Sequence, residues 1–126
     1  MRTKPDRPVI GIVGPCTAGK STLVRNLDGR YAVELRHKAQ EHSYVQEMWQ
    51  RINPPTWLIF LDVTFDTTLE RNPRLNWSMQ EYEEQQRRLA HARAHADLYL
   101  PTDGLSPEQV TERVAAFLEG MGIAPA

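Results

Sequence analysis

The feature that most constrains this chain is a run of nine residues near its start, the first eight of which fit the pattern G-x-x-x-x-G-K-[ST]. The run comprises Gly14, Pro15, Cys16, Thr17, Ala18, Gly19, Lys20, Ser21 and Thr22. Apolar residues 9–13 predict a strand that enters the run, and residues 20–27 predict a helix that leaves it. In such a loop, successive backbone N–H groups and the positive end of the helix point at one concavity. The sequence therefore predicts a site for phosphate groups.

Two side chains of this loop suit a nucleoside triphosphate and its Mg²⁺ ion. We expect the Lys20 ammonium to reach the β- and γ-phosphates, and the Ser21 hydroxyl to bind the Mg²⁺ that bridges them. Gly14 and Gly19 are expected to permit backbone angles and a close approach that a Cβ atom would forbid. All nine residues are candidate nucleotide-binding residues, Ser21 is also a candidate metal ligand, and Lys20 is also a candidate catalytic residue.

Length, charge and cysteine content narrow the remaining possibilities. The 126 residues suit one nucleotide-binding domain spanning 1–126. A formal net charge of −1 argues against an electrostatic surface for nucleic acid. The single cysteine excludes an intrachain disulfide, and no apolar run approaches the roughly 18 residues of a membrane span. We therefore expect a cytoplasmic protein with no nucleic-acid or membrane partner. The oligomeric state is left open, with a homodimer as one alternative.

Apolar runs and helix caps alternate along the chain. The predicted strands are 9–13, 31–36, 57–63 and 97–101, and the predicted helices are 20–27, 43–52, 66–72, 78–96 and 106–121. Capping-box patterns mark three of these helix starts, at Ser43, Ser78 and Ser106. The alternation predicts an α/β fold with three α/β/α layers and a small parallel sheet of about four strands in the order 2-1-3-4. Ligands of such sheets bind at the carboxyl ends of the strands, beside the first strand.

Two carboxylates are expected at that edge of the sheet. Glu41 lies just past the second predicted strand, and Asp62 ends the apolar run of the third. A carboxylate there could hold the Mg²⁺ shell, so both are candidate metal ligands, and Glu41 is also a candidate for orienting or deprotonating an acceptor hydroxyl. The alternative for each is a solvated or hydrogen-bonded acid at a strand end. Which of the two supports the metal is left open.

The nine-residue loop is similar to the Walker A motif, and on it the chain resembles the P-loop NTPase superfamily. Gln40-Glu41-His42-Ser43 is similar to the Glu-Arg-Ser stretch of deoxynucleoside kinases, and residues 57–71 look like the strand and helix that lead into the lid of deoxynucleoside and thymidylate kinases. This resemblance implies that Glu41 lies near Mg²⁺ and the substrate hydroxyl. The chain departs from those kinases in having His42 in place of Arg. It also has only about fifteen residues between Glu41 and Trp57, where they insert nucleoside-binding helices.

The resemblance also implies roles for two further loops. Arg71 and Arg74 occupy the lid-like position, where a guanidinium would stabilise charge on the transferring phosphoryl group and act in catalysis. The alternative is a solvated basic loop. Residues 102–104 follow the last predicted strand, where nucleotide kinases place a loop against the adenine. Asp103 and Gly104 are therefore candidate nucleotide-binding residues.

Taken together, these features predict an ATP-binding P-loop protein that transfers the γ-phosphate of Mg²⁺-ATP to a nucleoside, a nucleotide or a similar small-molecule acceptor. The alternative is a nucleotide-binding switch or regulatory module with only slow ATP hydrolysis. Specificity for GTP is disfavoured because the sequence has no Asn-Lys-x-Asp motif. The acceptor, the nucleotide preference and the efficiency of turnover are left open.

Overall fold

Parallel strands form one sheet at the centre of the computed structural model, which describes residues 7–51 and 53–126. The described part of the chain contains four of them: β1 (Val9–Val13), β2 (Glu34–His37), β3 (Trp57–Asp62) and β4 (Leu98–Pro101). Their order in the sheet is β2-β1-β3-β4, and all three pairings are parallel. The predicted α/β class and strand order 2-1-3-4 are confirmed.

Helices connect the strands and cover the sheet. They are α1 (Lys20–Leu27), α2 (Phe65–Arg71), α3 (Met79–Arg88), α4 (Ala90–His95) and α5 (Pro107–Gly120). Short 3₁₀ helices occupy Gln40–His42, Met48–Gln50 and Pro73–Leu75. The capping boxes predicted at Ser78 and Ser106 are both formed. Within the described ranges, no helix is both long enough and apolar enough to cross a lipid bilayer.

Both faces of the sheet are buried, because alternate strand residues point into separate apolar clusters. Ile59 and Leu61 pack in the cluster that includes residues of α1 and α5. Leu58 and Phe60 pack on the other face, in the cluster that includes Leu89 at the junction of α3 and α4. Strands buried on both faces read as nearly continuous apolar runs, which is why β1 and β3 are recognisable in the sequence.

The helix predicted over 43–52 is wrong for the described residues. Turns and the 3₁₀ helix Met48–Gln50 occupy this segment, and Ile52 lies outside the described residues. The buried Gln40 side chain accepts a hydrogen bond from the Trp49 N–H (2.8 Å) and donates one to the Val45 carbonyl (2.7 Å). Gln46, the expected partner of the cap, instead donates to the Arg87 carbonyl at 2.9 Å. Tertiary hydrogen bonds therefore replace the helical ones.

The long helix predicted over 78–96 is divided at Leu89, which lies between α3 and α4. Leu89 is fully buried against the sheet. The second strand also begins later than predicted, at Glu34, because Tyr31 forms an antiparallel bridge with Pro125 near the end of the chain.

Candidate functional site

The loop of residues 14–22, called the phosphate loop after its predicted role, turns from β1 into α1 with positive φ at three residues, one of which is Gly14 (φ 155°). Thr17 has φ 66° and Gly19 has φ 98°. Alternation between right- and left-handed residues lets neighbouring N–H groups converge on an anion. Gly19 is also the N-cap of α1, so the positive end of that helix faces the same concavity. These features are compatible with the predicted anion site, although the Cys16 and Ala18 N–H groups donate to Gln85 and to the Pro15 carbonyl in this structure.

Gly14 brings the start of the loop against the neighbouring strand. A Cβ atom at Gly14 would lie 2.0 Å from the carbonyl oxygen of Leu61 in β3. Only glycine permits that approach without displacing one of the two strands. The close contact places the loop over the carboxyl ends of β1 and β3.

Lys20 and Glu41 form a buried ion pair at the mouth of the loop. The Lys20 Nζ lies 3.1 Å from the Glu41 Oε2, and each side chain is 5% exposed. The same ammonium donates hydrogen bonds to the carbonyls of Gly14 (2.5 Å) and Pro15 (2.9 Å). The two residues meet because Lys20 follows β1 and Glu41 follows β2, and neighbouring parallel strands end at one edge of the sheet.

The other oxygen of Glu41, Oε1, is buried and has no hydrogen-bond partner. A buried carboxylate oxygen without a donor is unfavourable, so this atom is suited to a donor or cation supplied by a ligand. Glu41 lines a cavity of about 370 Å³ together with Lys20, Ser21 and His37. The Ser21 hydroxyl lies 3.4 Å from the His37 Nδ1. Burial, and then the charge of Lys20, lower the pKa of His37, which favours the neutral ring.

Asp62, the second predicted metal ligand, lies at the end of β3 with both oxygens already hydrogen-bonded. The donors are the Val63 N–H (2.9 Å), the Gln86 amide (3.0 Å), the Arg93 guanidinium (3.0 Å) and the Tyr99 hydroxyl (2.5 Å). Between the two predicted ligands, Glu41 is therefore the one with an oxygen left for a ligand. A metal role for Asp62 stays a prediction.

The described residues contain no group of three or more His, Cys, Asp or Glu side chains arranged to hold a metal ion. A Mg²⁺ ion that is bound with phosphates usually keeps several waters and takes only one or two protein ligands. Ser21 and Glu41 both line one cavity, and the Ser21 hydroxyl with one oxygen of the Glu41 carboxylate would meet that smaller requirement.

Arg71 and Arg74 have different environments. Arg71 donates to the Thr17 carbonyl in the phosphate loop at 2.8 Å, and to the hydroxyl and carbonyl of Thr102 at 2.9 and 2.6 Å. It therefore joins the loop to the segment after β4. Arg74 is exposed in the 3₁₀ helix Pro73–Leu75. A catalytic role for either arginine stays a prediction.

A second cavity, of about 330 Å³, lies on the other side of the phosphate loop. Its lining is mostly apolar and includes Ala18, Thr22, Leu105, Pro107 and Val110. A flat apolar group, such as a nucleobase, suits this lining. Leu105 and Pro107 were not among the predicted site residues, whereas Asp103 and Gly104, which immediately precede Leu105, were.

The predicted pair Asp103 and Gly104 forms the turn that leads into this cavity. The Asp103 Oδ1 accepts hydrogen bonds from the Thr64 N–H (2.9 Å) and hydroxyl (2.7 Å) at the start of α2. Burial raises the pKa of Asp103, but hydrogen bonds from Thr67 and Thr64 outweigh it and lower the pKa overall. Gly104 is exposed, with φ 73°. Whether either residue contacts a nucleotide stays a prediction.

Gln85 is a contact residue of the loop that sequence reasoning missed. It is buried on α3, accepts a hydrogen bond from the Cys16 N–H at 3.1 Å, and donates one to the Cys16 Sγ at 3.1 Å. One signal was present in the sequence. Gln85 lies three residues after Tyr82 and four before Leu89, so an amide occupies the apolar stripe of a predicted helix.

A scan against protein-family models finds no match for this chain, and a search of curated proteins finds none either. The small parallel α/β sheet is compatible with a P-loop fold.

Proposed function

We propose that this chain is a P-loop protein that binds Mg²⁺-ATP and transfers its γ-phosphate to the hydroxyl of a small molecule such as a nucleoside or a nucleotide. The observation that carries the proposal is the Lys20–Glu41 pair. The pair is buried beside the loop that is predicted to bind phosphate, and one oxygen of the Glu41 carboxylate has no hydrogen-bond partner. A purely structural ion pair would be expected to satisfy both oxygens. This pair instead leaves one for a ligand.

The phosphates would lie against the loop N–H groups and the start of α1. Lys20 would then exchange the carbonyls of Gly14 and Pro15 for phosphate oxygens, which are stronger acceptors because they are charged. The base would occupy the apolar cavity that Leu105 and Pro107 line. Arg71 is held by the Thr17 carbonyl, so it would keep the loop closed around the phosphates.

Ser21 and Glu41 fit a Mg²⁺ ion, since one offers an exposed hydroxyl and the other a buried free oxygen. When bound, the ion neutralises charge on the phosphates. Glu41 would also orient the acceptor hydroxyl and take its proton on Oε2, which Lys20 would release as its ammonium moves to the phosphates. The acceptor oxygen forms a bond to the γ-phosphorus while the bond from that phosphorus to the β–γ bridging oxygen breaks, and ADP leaves.

A second candidate function, a nucleotide-binding module with slow hydrolysis, is favoured by one observation. Between Glu41 and Trp57, the described residues form turns and one 3₁₀ helix, Met48–Gln50. The kinases that the sequence resembles insert substrate-binding helices there. A module of this kind would bind ATP, and would report its state to a partner rather than to an acceptor.

Calorimetry and a transfer assay separate these functions. Titration with Mg²⁺-ATP should give binding heat for the wild-type chain and for Arg25→Ala, which removes an exposed cation from the same helix. Binding should be lost in Lys20→Ala. Labelled product from [γ-³²P]ATP and a panel of hydroxyl metabolites supports the kinase, and Glu41→Gln should then lower kcat. Binding without product supports the module. Absence of heat with any Mg²⁺-triphosphate would refute both functions.

A further inference from the structure

Helix α3 contacts the phosphate loop through Gln85. This side chain is 6% exposed, and its amide makes two hydrogen bonds to one loop residue, Cys16. An apolar side chain could fill the same position on the stripe between Tyr82 and Leu89 without the cost of burying an amide. The specific contribution of Gln85 is therefore its hold on Cys16.

The same helix contacts the Glu41 segment one turn later, through Arg88. The Arg88 Nη1 donates to the Glu41 carbonyl at 3.3 Å, and the Arg88 carbonyl accepts from the buried Gln40 amide at 3.1 Å. The guanidinium lies 4.3 Å from the centre of the Tyr44 ring. Residues three apart lie on one face of a helix, so a single face of α3 contacts both sides of the candidate site.

We propose that this face of α3 positions Glu41 relative to the phosphate loop, and that Gln85 is the positioning residue at the loop end. This inference rests on the proposed function, because it says how the part of the site that binds the nucleotide is connected to the part that binds the acceptor. Cys16 lines the same cavity as Lys20 and Glu41. A phosphate group that enters this cavity changes the surroundings of Cys16, and through Gln85 and Arg88 it biases the segment that carries Glu41.

The chain provides its own reporter for the unliganded protein. Cys16 is the single cysteine of the sequence, so its reaction with a coloured thiol reagent follows the loop alone. Gln85→Met keeps the volume and removes both hydrogen bonds, and Gln80→Met is a matched control at an exposed position of α3. We expect Gln85→Met to speed the reaction about fivefold, the ratio that the loss of about one hydrogen bond implies. Gln80→Met should leave the rate unchanged.

Arg88 tests whether the helix transmits the effect. Arg88 is hydrogen-bonded to Glu41 and Gln40. If it acted on those residues alone, its replacement would not change the rate at which the Cys16 thiol reacts. We expect Arg88→Met to raise the thiol rate at least twofold, and Arg87→Met, which removes an exposed arginine bound to Glu84, to leave it unchanged. Arg88→Leu, which also removes the donor to the Glu41 carbonyl, serves if the methionine variant fails to fold. A wild-type rate in the folded Arg88 variants overturns the coupling.

The effect of nucleotide is tested by measuring amide hydrogen exchange with and without a non-hydrolysable ATP analogue and Mg²⁺. In the wild-type chain and Gln80→Met, the analogue should slow exchange in residues 40–50. In Gln85→Met at saturating analogue, that protection should disappear while protection of residues 14–22 persists. Equal protection of 40–50 in both variants overturns the positioning role. If no variant binds the analogue, the proposed function fails, and the thiol rates alone decide the positioning proposal.

Discussion

Replacement of Gly14 by alanine tests how closely the phosphate loop approaches β3, because it adds a steric clash to the cost of an unfavourable backbone angle. The new Cβ would lie 2.0 Å from the Leu61 carbonyl oxygen and 3.1 Å from the carbonyl carbon. A relaxed carbon–oxygen contact is more than 1 Å longer, and the oxygen belongs to a strand of the sheet, so it cannot turn away as a side chain would. Overpacking of this kind costs about 1–3 kcal/mol. The φ of 155°, which side chains rarely adopt, adds about 1–3 kcal/mol.

We therefore expect Gly14→Ala to lower the free energy of unfolding by about 2–6 kcal/mol, the sum of those two ranges. Gly29→Ala is the matched control, because Gly29 has φ 78° and nothing within 4 Å of its would-be Cβ. Only the backbone cost applies there, about 1–2 kcal/mol. Urea unfolding followed by tryptophan fluorescence measures both variants, with the m-value checked for constancy. If the two variants lose the same stability, the close approach of loop and β3 is not a constraint and the reasoning is wrong.

Three further predictions, at Lys20, Asp103 and Arg71, test the site's electrostatics and contacts. Lys20→Met should destabilise the fold by about 3–5 kcal/mol because it leaves the Glu41 charge buried and unpaired, and Lys20→Met combined with Glu41→Gln should recover part of that loss in urea unfolding. Asp103→Asn should cost more stability at pH 7 than at pH 3. Because folding lowers the pKa of Asp103, the ionised carboxylate stabilises the fold at pH values above the ordinary carboxyl pKa. This stabilisation is lost as the pH falls through the lowered pKa of the folded state. Thermal unfolding at pH 7 and pH 3 measures the difference. Arg71→Met should lower stability by about 1–3 kcal/mol because three hydrogen bonds disappear, whereas the exposed Arg74→Met should change it by less than about 0.5 kcal/mol in the same assay.

The sheet and its order could be predicted because the signals for them are local. The apolar runs at 9–13 and 57–63 are long enough to identify strands that are buried on both faces, and the capping boxes at Ser78 and Ser106 mark helix starts within four residues of sequence. Right-handed crossovers then leave few ways to order four parallel strands. The turn from β1 through residues 14–22 into α1 is also marked locally, since its glycines and Lys20 lie in one short run, and phosphate binding there stays a prediction.

The segment after Glu41 could not be predicted because its decisive partners are remote in sequence. Ser43 and Gln46 form the sequence pattern of a capping box, and this local pattern favours a helix. Gln46 instead bonds to Arg87, which follows 41 residues later. Gln40 is a polar residue with no periodic role in the sequence, yet its fully buried amide takes the hydrogen bonds that a helix would have used. Propensity is a weak prior where such tertiary bonds compete.

The contacts between loops were hidden for the same reason. Arg71 was predicted to face a phosphoryl group, and its three hydrogen bonds show that it joins two loops of the described structure. Its partners, Thr17 and Thr102, lie 54 and 31 residues away in sequence. No spacing rule relates positions so far apart, whereas an amide on an apolar stripe, as at Gln85, is a signal that a sequence can provide.

The difference in hydrogen bonding between Glu41 and Asp62 follows from the positions of their strands, while the metal role of either stays a prediction. Asp62 ends β3, an inner strand, so it has neighbours on both sides: Tyr99 from β4 donates to it, as do Gln86 and Arg93 from the helices above. Glu41 follows β2, which is an edge strand, and its paired neighbour is β1 with the phosphate loop. With donors on one side only, Lys20 binds one oxygen and the second is left without a partner. An acid beside an edge strand is therefore better placed to bind a ligand than an equally buried acid at the end of an inner strand. Replacing Tyr99 and Arg93 with apolar residues should remove both donors of the Asp62 Oδ2 without giving Asp62 a place in the loop cavity that Glu41 lines.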